Sequence, residues 1–170
     1  PAQEAGVESQ VTSLERAWLD YASWAAKECD VPLALAIFER AVAQCRTSEK
    51  VWGGYLSLAS QQLRDQELVL SISTRALRNC PGVVDYHLLA LASLERLNSG
   101  SEAIDAAATR ALSAPLPSSG PAYLRLLLAR ADFFRRAMTR TLATGAAAEV
   151  VAEAVQACRV AMVFAIAFLD

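Results

Sequence analysis

The chain has 170 residues, of which 54% are hydrophobic and 20% are charged, and its formal net charge is −2. This length can bury a sizeable core, and the composition excludes an intrinsically disordered segment. The slightly acidic balance argues against a nucleic-acid surface, which needs clustered lysine and arginine side chains. The longest uncharged apolar run, 160–169, is half of the roughly 20 residues that a bilayer requires. We therefore expect a soluble intracellular protein, and a piece of a longer chain.

An internal repeat runs through the sequence. Arg-Ala pairs occur at 40–41, 75–76 and 110–111, a spacing of 35, and the cysteines at 45 and 80 keep that register. A second series, Trp18-x-x-Tyr21 and Trp52-x-x-Tyr55, runs beside it at a spacing of 34. Such a period is typical of helix pairs that stack on one another. It predicts an all-α fold, an α-α superhelix or solenoid.

Each repeat is predicted to be two helices. Residues 12–15, Thr-Ser-Leu-Glu, fit a capping box at the start of the first helix. Asp30 and Pro32 indicate the start of the second. We expect a repeat core of aromatic side chains and of small residues where paired helices approach closely. The predicted core residues are Trp18, Tyr21, Ala41, Trp52, Tyr55, Ala76 and Ala111.

Turn residues at 81–82, 98–100 and 144–145 separate the later helices, and 115–120 is the longest predicted linker. The predicted helices cover 11–28, 31–45, 48–62, 65–79, 83–97, 101–114, 121–141 and 146–169. They group into one array over 1–170, with repeats at 11–45, 48–80, 83–114 and 121–169.

Two stretches carry a family resemblance. Ala17-Trp18-Leu19-Asp20-Tyr21 with Ile37-Phe38-Glu39-Arg40-Ala41, and Leu68–Ser71 leading to Arg75–Pro81, resemble HAT (half-a-TPR) repeats. The resemblance is to the HAT domain of the U4/U6 snRNP recycling factors, the family of squamous cell carcinoma antigen recognised by T cells 3. It covers roughly residues 11–142.

That resemblance implies a nuclear, non-catalytic scaffold for pre-mRNA splicing. It implies protein partners, among them snRNP components and deubiquitinases, together with dimerisation and little direct RNA binding by this part of the chain. A HAT scaffold of cleavage–polyadenylation, U1 snRNP or ribosome biogenesis is an alternative. A TPR-like peptide-binding adaptor is another, although no carboxylate clamp is found in register.

The later repeats depart from the aromatic pattern. His87 and Ala90 occupy the Trp and Tyr positions of the third repeat, and Leu127 and Arg130 those of the fourth. The fold tolerates the loss of these aromatic side chains if neighbours such as Tyr86 or Tyr123 fill the volume that they would occupy.

Sequence motifs for catalysis or metal binding are not found. Gly53-Gly54 follows no strand, so it is not a phosphate loop, and the serines lack a G-x-S-x-G motif and a base. Asp20 and Glu28 are interpreted as solvated charges, and His87 as a half-buried residue with one bonded nitrogen. We expect no enzymatic activity, no metal and no cofactor. We expect buried thiols at Cys29, Cys45, Cys80 and Cys158.

Two surfaces in the last helices are candidates for a partner. Arg125, Arg136 and Arg140 lie within about 60° of one another on a helix. They form either a solvated face or a docking strip for an acidic partner segment. In the final helix, Val163 and Phe164 take the angular positions that glutamates hold earlier. We expect this end to be covered by a second copy or a further repeat, or to be left bare by truncation.

Overall fold

The computed structural model describes the backbone of residues 2–116 and 120–168, and the side chains of 12–116 and 120–168. All regular elements in these ranges are helices, and the predicted all-α class is confirmed. The helices are α1 Ala2–Glu28, α2 Val31–Gln44, α3 Glu49–Gln62, α4 Gln66–Asn79, α5 Val84–Arg96, α6 Ser101–Leu112, α7 Gly120–Ala143 and α8 Ala148–Ala167.

The chain divides into two compact units, Pro1–Cys80 and Pro81–Asp170. In the first unit α1 packs against α2 and α3, α2 against α3, and α3 against α4. In the second unit α5 packs against α6 and α7, α6 against α7, and α7 against α8. The first helix of a pair thus contacts its own partner and the first helix of the next pair. This is the neighbour-to-neighbour packing of helix-pair repeats. The single array over 1–170 stays a prediction.

Local capping explains where α2, α3 and α4 begin. The side chains of Asp30, Ser48 and Asp65 each accept a hydrogen bond from the backbone N–H three residues later, at 2.7, 3.3 and 3.0 Å. Each bond satisfies one of the N–H groups that a helix start leaves free. The start of α2 at Asp30 is therefore as predicted. The bounds of α2 to α7 lie within two residues of the predicted ones. The predicted end of α8 at 169 lies outside the described residues.

The helix α1 corrects two predictions. It begins at Ala2, so Thr12 lies inside it and the capping box at 12–15 is wrong. Residues three apart share a face in the middle of a helix as well as at its start, so the spacing alone could not distinguish the two. Tyr21 is 43% exposed, and its assignment to the core is also wrong. The smaller Ala22 and Ala25 of this helix are fully buried, and the helix packs against α2 and α3.

Aromatic rings fill the core of the first unit. Phe38 stacks on Tyr55 with centroids 5.4 Å apart and planes 4° apart, and Tyr55 lies 6.5 Å from Trp52. Trp52 and Tyr55 are each 2% exposed, whereas Trp18 is half-buried. Ala41 and Ala76 are fully buried, and their small side chains allow closely packed helices.

The second unit has its own hydrophobic core, to which α5, α6, α7 and α8 all contribute. It is built around Ile104, Leu126, Phe133 and Ala161, with Ala111 fully buried beside them. Leu116 also belongs to it, although the residue falls in the predicted linker; residues 117–119 of that linker lie outside the described part of the chain.

The cysteines do not all behave as expected. Cys45, Cys80 and Cys158 are buried, but Cys29 follows the last residue of α1 and is exposed, so its predicted burial is wrong. Cys45 and Cys80 end α2 and α4 in the same way. Their backbone N–H groups donate at 2.8 Å to the carbonyls of the repeated alanines four residues earlier. Burial raises the pKa of both thiols.

Candidate protein-interaction surfaces

Three helices of the first unit are joined by one polar network. The two terminal nitrogens of Arg75 in α4 each donate a hydrogen bond of 2.7 Å to the carboxylate of Glu39 in α2. The phenol of Tyr55 in α3 donates a third, at 2.6 Å. A bidentate arginine–carboxylate pair is both strong and specific in geometry. The network therefore fixes α2 and α4, the second helices of two successive repeats, in register.

This network shifts the pKa of each member. Hydrogen bonding from Arg75 holds the pKa of Glu39 below its ordinary 4.5, against the opposing effect of burial. Burial raises the pKa of Tyr55 well above 10, and the bond to Glu39 raises it further. The bond to Glu39 also raises the pKa of Arg75. Glu39 is thus held as a carboxylate, and its charge is neutralised by a fixed partner.

The periodic arginines also lie over the periodic tryptophans. The guanidinium carbon of Arg40 lies 5.6 Å from the centroid of the Trp18 ring, and that of Arg75 lies 5.6 Å from the centroid of Trp52. This distance is within reach of a cation–π interaction. The two interlocked series of the sequence therefore meet in space. Arg110, the third member, is exposed.

His87 reproduces the hydrogen bond of the tryptophan that it replaces. The ring N–H of Trp52 donates at 2.7 Å to the carbonyl of Arg46, six residues earlier. The Nε2 of His87 lies 2.9 Å from the carbonyl of Pro81, also six residues earlier. A carbonyl only accepts, so His87 carries a hydrogen on Nε2 and donates it. His87 has one bonded nitrogen, as predicted, but it is buried, so the predicted half-burial is wrong. Tyr86 beside it is also buried and supplies aromatic volume.

The fourth repeat replaces aromatic packing with an ion pair. Leu127, at the Trp position, is buried. Arg130, at the Tyr position, donates from Nε to Asp105 of α6 at 2.7 Å. Tyr55 likewise donates to an acidic residue of the preceding helix. The Tyr position of the repeat thus keeps its hydrogen bond to the preceding helix, although the side chain is an arginine in α7 and a tyrosine in α3.

A groove of about 370 Å³ opens on the first unit beside the Glu39–Arg75 pair. Its rim carries the exposed Arg46 and Arg78, and Trp52 contributes to its wall. The lining residues are Glu39, Val42, Ala43, Arg46, Trp52, Arg75, Arg78 and Asn79. Sequence reasoning missed this surface because Arg46 and Arg78 do not recur with the repeat. Arg78 lies three residues after the periodic Arg75, and that helical spacing was a usable signal.

The predicted arginine strip of α7 faces α5 of its own unit. Arg136 donates two hydrogen bonds to the carboxylate of Glu95, at 2.9 and 2.7 Å, and Arg140 donates a third at 3.2 Å. Arg125 forms an ion pair with Asp85. Hydrogen bonding from Arg136 is the main cause of the lowered pKa of Glu95. An acidic partner would have to compete with these carboxylates, and the docking role of the strip stays a prediction.

The outer face of α8 is apolar and exposed. Val163, Phe164 and Ile166 are 57%, 58% and 59% exposed, while Cys158 and Ala161 are buried on the opposite face. Among the described helices, α8 is long and apolar enough to cross a membrane, with a mean hydropathy of 1.8. Length and composition alone are weak evidence for a membrane span. The candidate residues Val163 and Phe164 thus lie on an uncovered surface.

Comparison with known proteins gives one recurrent relative. No family model matches the chain. It is similar to "Spliceosome associated factor 3, U4/U6 recycling protein" from Danio rerio, Mus musculus and Homo sapiens. Each is 29% identical over 136 residues, which is 80% of this chain and 14% of the relative. The chain therefore corresponds to about one seventh of the length of these relatives. The expected similarity to U4/U6 recycling proteins is therefore found over 80% of the chain, and the relatives are named for U4/U6 recycling.

Proposed function

We propose that this chain is a non-catalytic scaffold for protein–protein interactions in RNA processing, most directly in the assembly and recycling of the U4/U6 snRNP. The observation that carries the proposal is its similarity, over 80% of its length, to proteins named for U4/U6 recycling. The paired helices are assigned to the HAT class on the repeat pattern. The protein acts in the nucleus, and its partners are splicing and snRNP components, with a deubiquitinase as a further candidate.

The mechanism follows from repeat architecture. Within each unit, stacked helix pairs expose surface that a partner can bind. Rigid networks such as Glu39–Arg75–Tyr55 keep that surface in a fixed shape, which lowers the ordering cost when a partner binds.

A pull-down from nuclear extract tests this function. The immobilised chain is expected to retain U4/U6 components, measured as co-purifying proteins and as U4 and U6 RNA. A charge-reversed variant, Arg46→Glu with Arg78→Glu, alters the groove; Lys50→Glu with Arg64→Glu makes the same charge change at other exposed residues of the unit. Retention of U4/U6 components no higher than on empty beads would refute the proposal.

The same pull-down separates the alternatives within RNA processing. Recovery of cleavage–polyadenylation, U1 snRNP or ribosome-biogenesis components in place of U4/U6 components would assign the chain to another HAT scaffold. A TPR-like adaptor is favoured by one observation, since Arg46, Arg78 and Asn79 line one groove and could hold a terminal carboxylate. That reading requires binding of a peptide with a free C-terminus and loss of binding on amidation.

A second element of the proposal is self-association through α8. The exposed Val163, Phe164 and Ile166 form an apolar surface that a second copy could bury against the same residues. Two-fold symmetric contacts of this kind are the commonest oligomeric interface.

A further inference from the structure

The groove of the first unit carries uncompensated positive charge. Arg46 and Arg78 are exposed, and within 12–116 and 120–168 neither has a carboxylate at ion-pair distance. The Nε of Arg46 donates a long hydrogen bond, 3.4 Å, to the carbonyl of Ala43. Arg75, by contrast, is fully engaged with Glu39. The two rim arginines therefore have donors to offer.

The local charge is opposite to that of the whole chain. The lining includes three arginines and one glutamate, an excess of two positive charges, whereas the chain carries −2. The negative charge of Glu39 is already bound by Arg75 and Tyr55, so it repels an incoming anion less than a free carboxylate would. The uncharged Ala43 and Asn79 also line the groove.

We propose that this groove binds an acidic segment of a partner protein, whose Asp or Glu carboxylates pair with Arg46 and Arg78. This inference rests on the proposed function only in requiring a protein partner, and it specifies the chemistry of that partner. Planar guanidinium groups suit carboxylates because they donate two parallel hydrogen bonds. A groove of about 370 Å³ accommodates a few side chains of an extended segment.

Carboxylates fit this surface better than an RNA backbone does. Strong binding to RNA depends on many phosphate contacts and on the release of their counterions. Two rim arginines in an acidic chain provide few such contacts. The groove therefore favours a short acidic protein segment.

Fluorescence anisotropy with the intact chain tests the proposal. The probe is a labelled, C-terminally amidated peptide of alternating Glu and Ser, compared with its Gln counterpart. We expect the Glu peptide to bind at least tenfold more tightly than the Gln peptide. Arg46→Ala with Arg78→Ala is expected to weaken that binding at least tenfold, and Lys50→Ala with Arg64→Ala less than twofold. Circular dichroism checks that each variant is folded. A further variant, Arg46→Lys with Arg78→Lys, keeps the positive charge but loses the paired hydrogen-bond donors.

Three outcomes would overturn the inference. They are equal binding of the Glu and Gln peptides, binding unaffected by the Arg46 and Arg78 substitutions, and tighter binding of an oligouridylate of equal charge. Because the assay contains no splicing component, its result is independent of the pull-down. Peptide binding without recovery of U4/U6 components would leave the groove assigned and the proposed function refuted; the converse would refute only the groove.

Discussion

The carboxylate of Glu39 accepts hydrogen bonds from both terminal nitrogens of Arg75, 36 residues later in the chain. Both side chains are about two-fifths exposed, so solvent screens the pair. We expect Glu39→Gln to lower the free energy of unfolding by about 1 kcal/mol at pH 7. Urea denaturation of wild type, Glu39→Gln, Arg75→Met and the double variant measures the coupling between the two side chains.

The difference in unfolding free energy between wild type and Glu39→Gln should depend on pH. Because the folded-state pKa of Glu39 is lowered from 4.5, its contribution is present above the unfolded pKa and is lost as the pH falls through the folded pKa. The gap between wild type and Glu39→Gln should therefore narrow as the pH is lowered below 4.5. A gap that stays constant with pH would mean that the ionised carboxylate does not contribute to stability.

The two periodic tryptophans should differ in their effect on stability. Trp52 is 2% exposed, and Trp52→Ala would leave a cavity in the aromatic core, at a cost of about 3–5 kcal/mol. Trp18 is half-buried, and for Trp18→Ala we expect a loss of only about 1 kcal/mol, mainly from reduced burial. Chemical denaturation of both variants measures the two losses in the free energy of unfolding. Equal losses would mean that Trp18 is also enclosed in solution.

Two fully buried serines offer a matched pair. Ser73 donates to the carbonyl of Val69 at 2.7 Å, whereas the hydroxyl of Ser93 has no partner among the described residues. Leaving a buried polar group unsatisfied costs about 1–3 kcal/mol. Ser93→Ala should therefore raise the midpoint of thermal unfolding, while Ser73→Ala should leave it unchanged or lower it. The opposite order would show that Ser93 is hydrogen-bonded in solution.

Gly54 lies in α3 where two other side chains come close. A Cβ there would lie 2.8 Å from Cδ2 of Leu19 and 3.2 Å from the ring of Phe38. Leu19 can rotate, but Phe38 is buried and stacked on Tyr55. Alanine gains about 1 kcal/mol in helix propensity and incurs about 1–3 kcal/mol in overpacking, so we expect Gly54→Ala to be destabilising by about 1 kcal/mol.

The Phe38→Leu background is the control for this substitution. A smaller side chain at that position removes the contact with the Phe38 ring. Because Leu19 can rotate away, Gly54→Ala should then be neutral or stabilising. If Gly54→Ala is equally harmful in both backgrounds, Phe38 is not the cause of the strain.

The apolar face of α8 should promote self-association. We expect Val163→Glu with Phe164→Arg to make the chain more soluble and monomeric, with its helicity unchanged, because both side chains are more than half exposed. Leu128→Glu with Leu142→Arg makes the same charge change at exposed positions of α7 and is the matched control. Sedimentation velocity over a range of concentrations measures the association. A wild-type chain that stays monomeric throughout would exclude α8 as a dimer surface.

Local chemistry made most of the helices predictable. Caps such as Asp30 and breakers such as Gly100 act within a few residues, so the sequence contains what is needed to place those boundaries. The start of α1 was missed because the spacing of Thr12 and Glu15 also suits two residues in mid-helix.

Contacts between helices were harder to predict than the helices themselves. Arg75 was recognised as periodic, but its pairing with Glu39 depends on how α2 and α4 are placed. Tyr21 shares a pattern with Tyr55, yet only Tyr55 is enclosed by neighbouring helices. The groove at Arg46 and Arg78 arises from tertiary packing and has no periodic signature.

Because three of the four thiols are buried, their reactivity measures local opening of the structure. A thiol-alkylating reagent should add one mass increment to the folded protein, at Cys29, and four to the unfolded one. Opening of the first unit alone exposes Cys45 and Cys80, whereas opening of the second exposes Cys158. Counting the increments on each molecule by mass spectrometry therefore distinguishes stepwise from concerted loss of structure without an introduced probe.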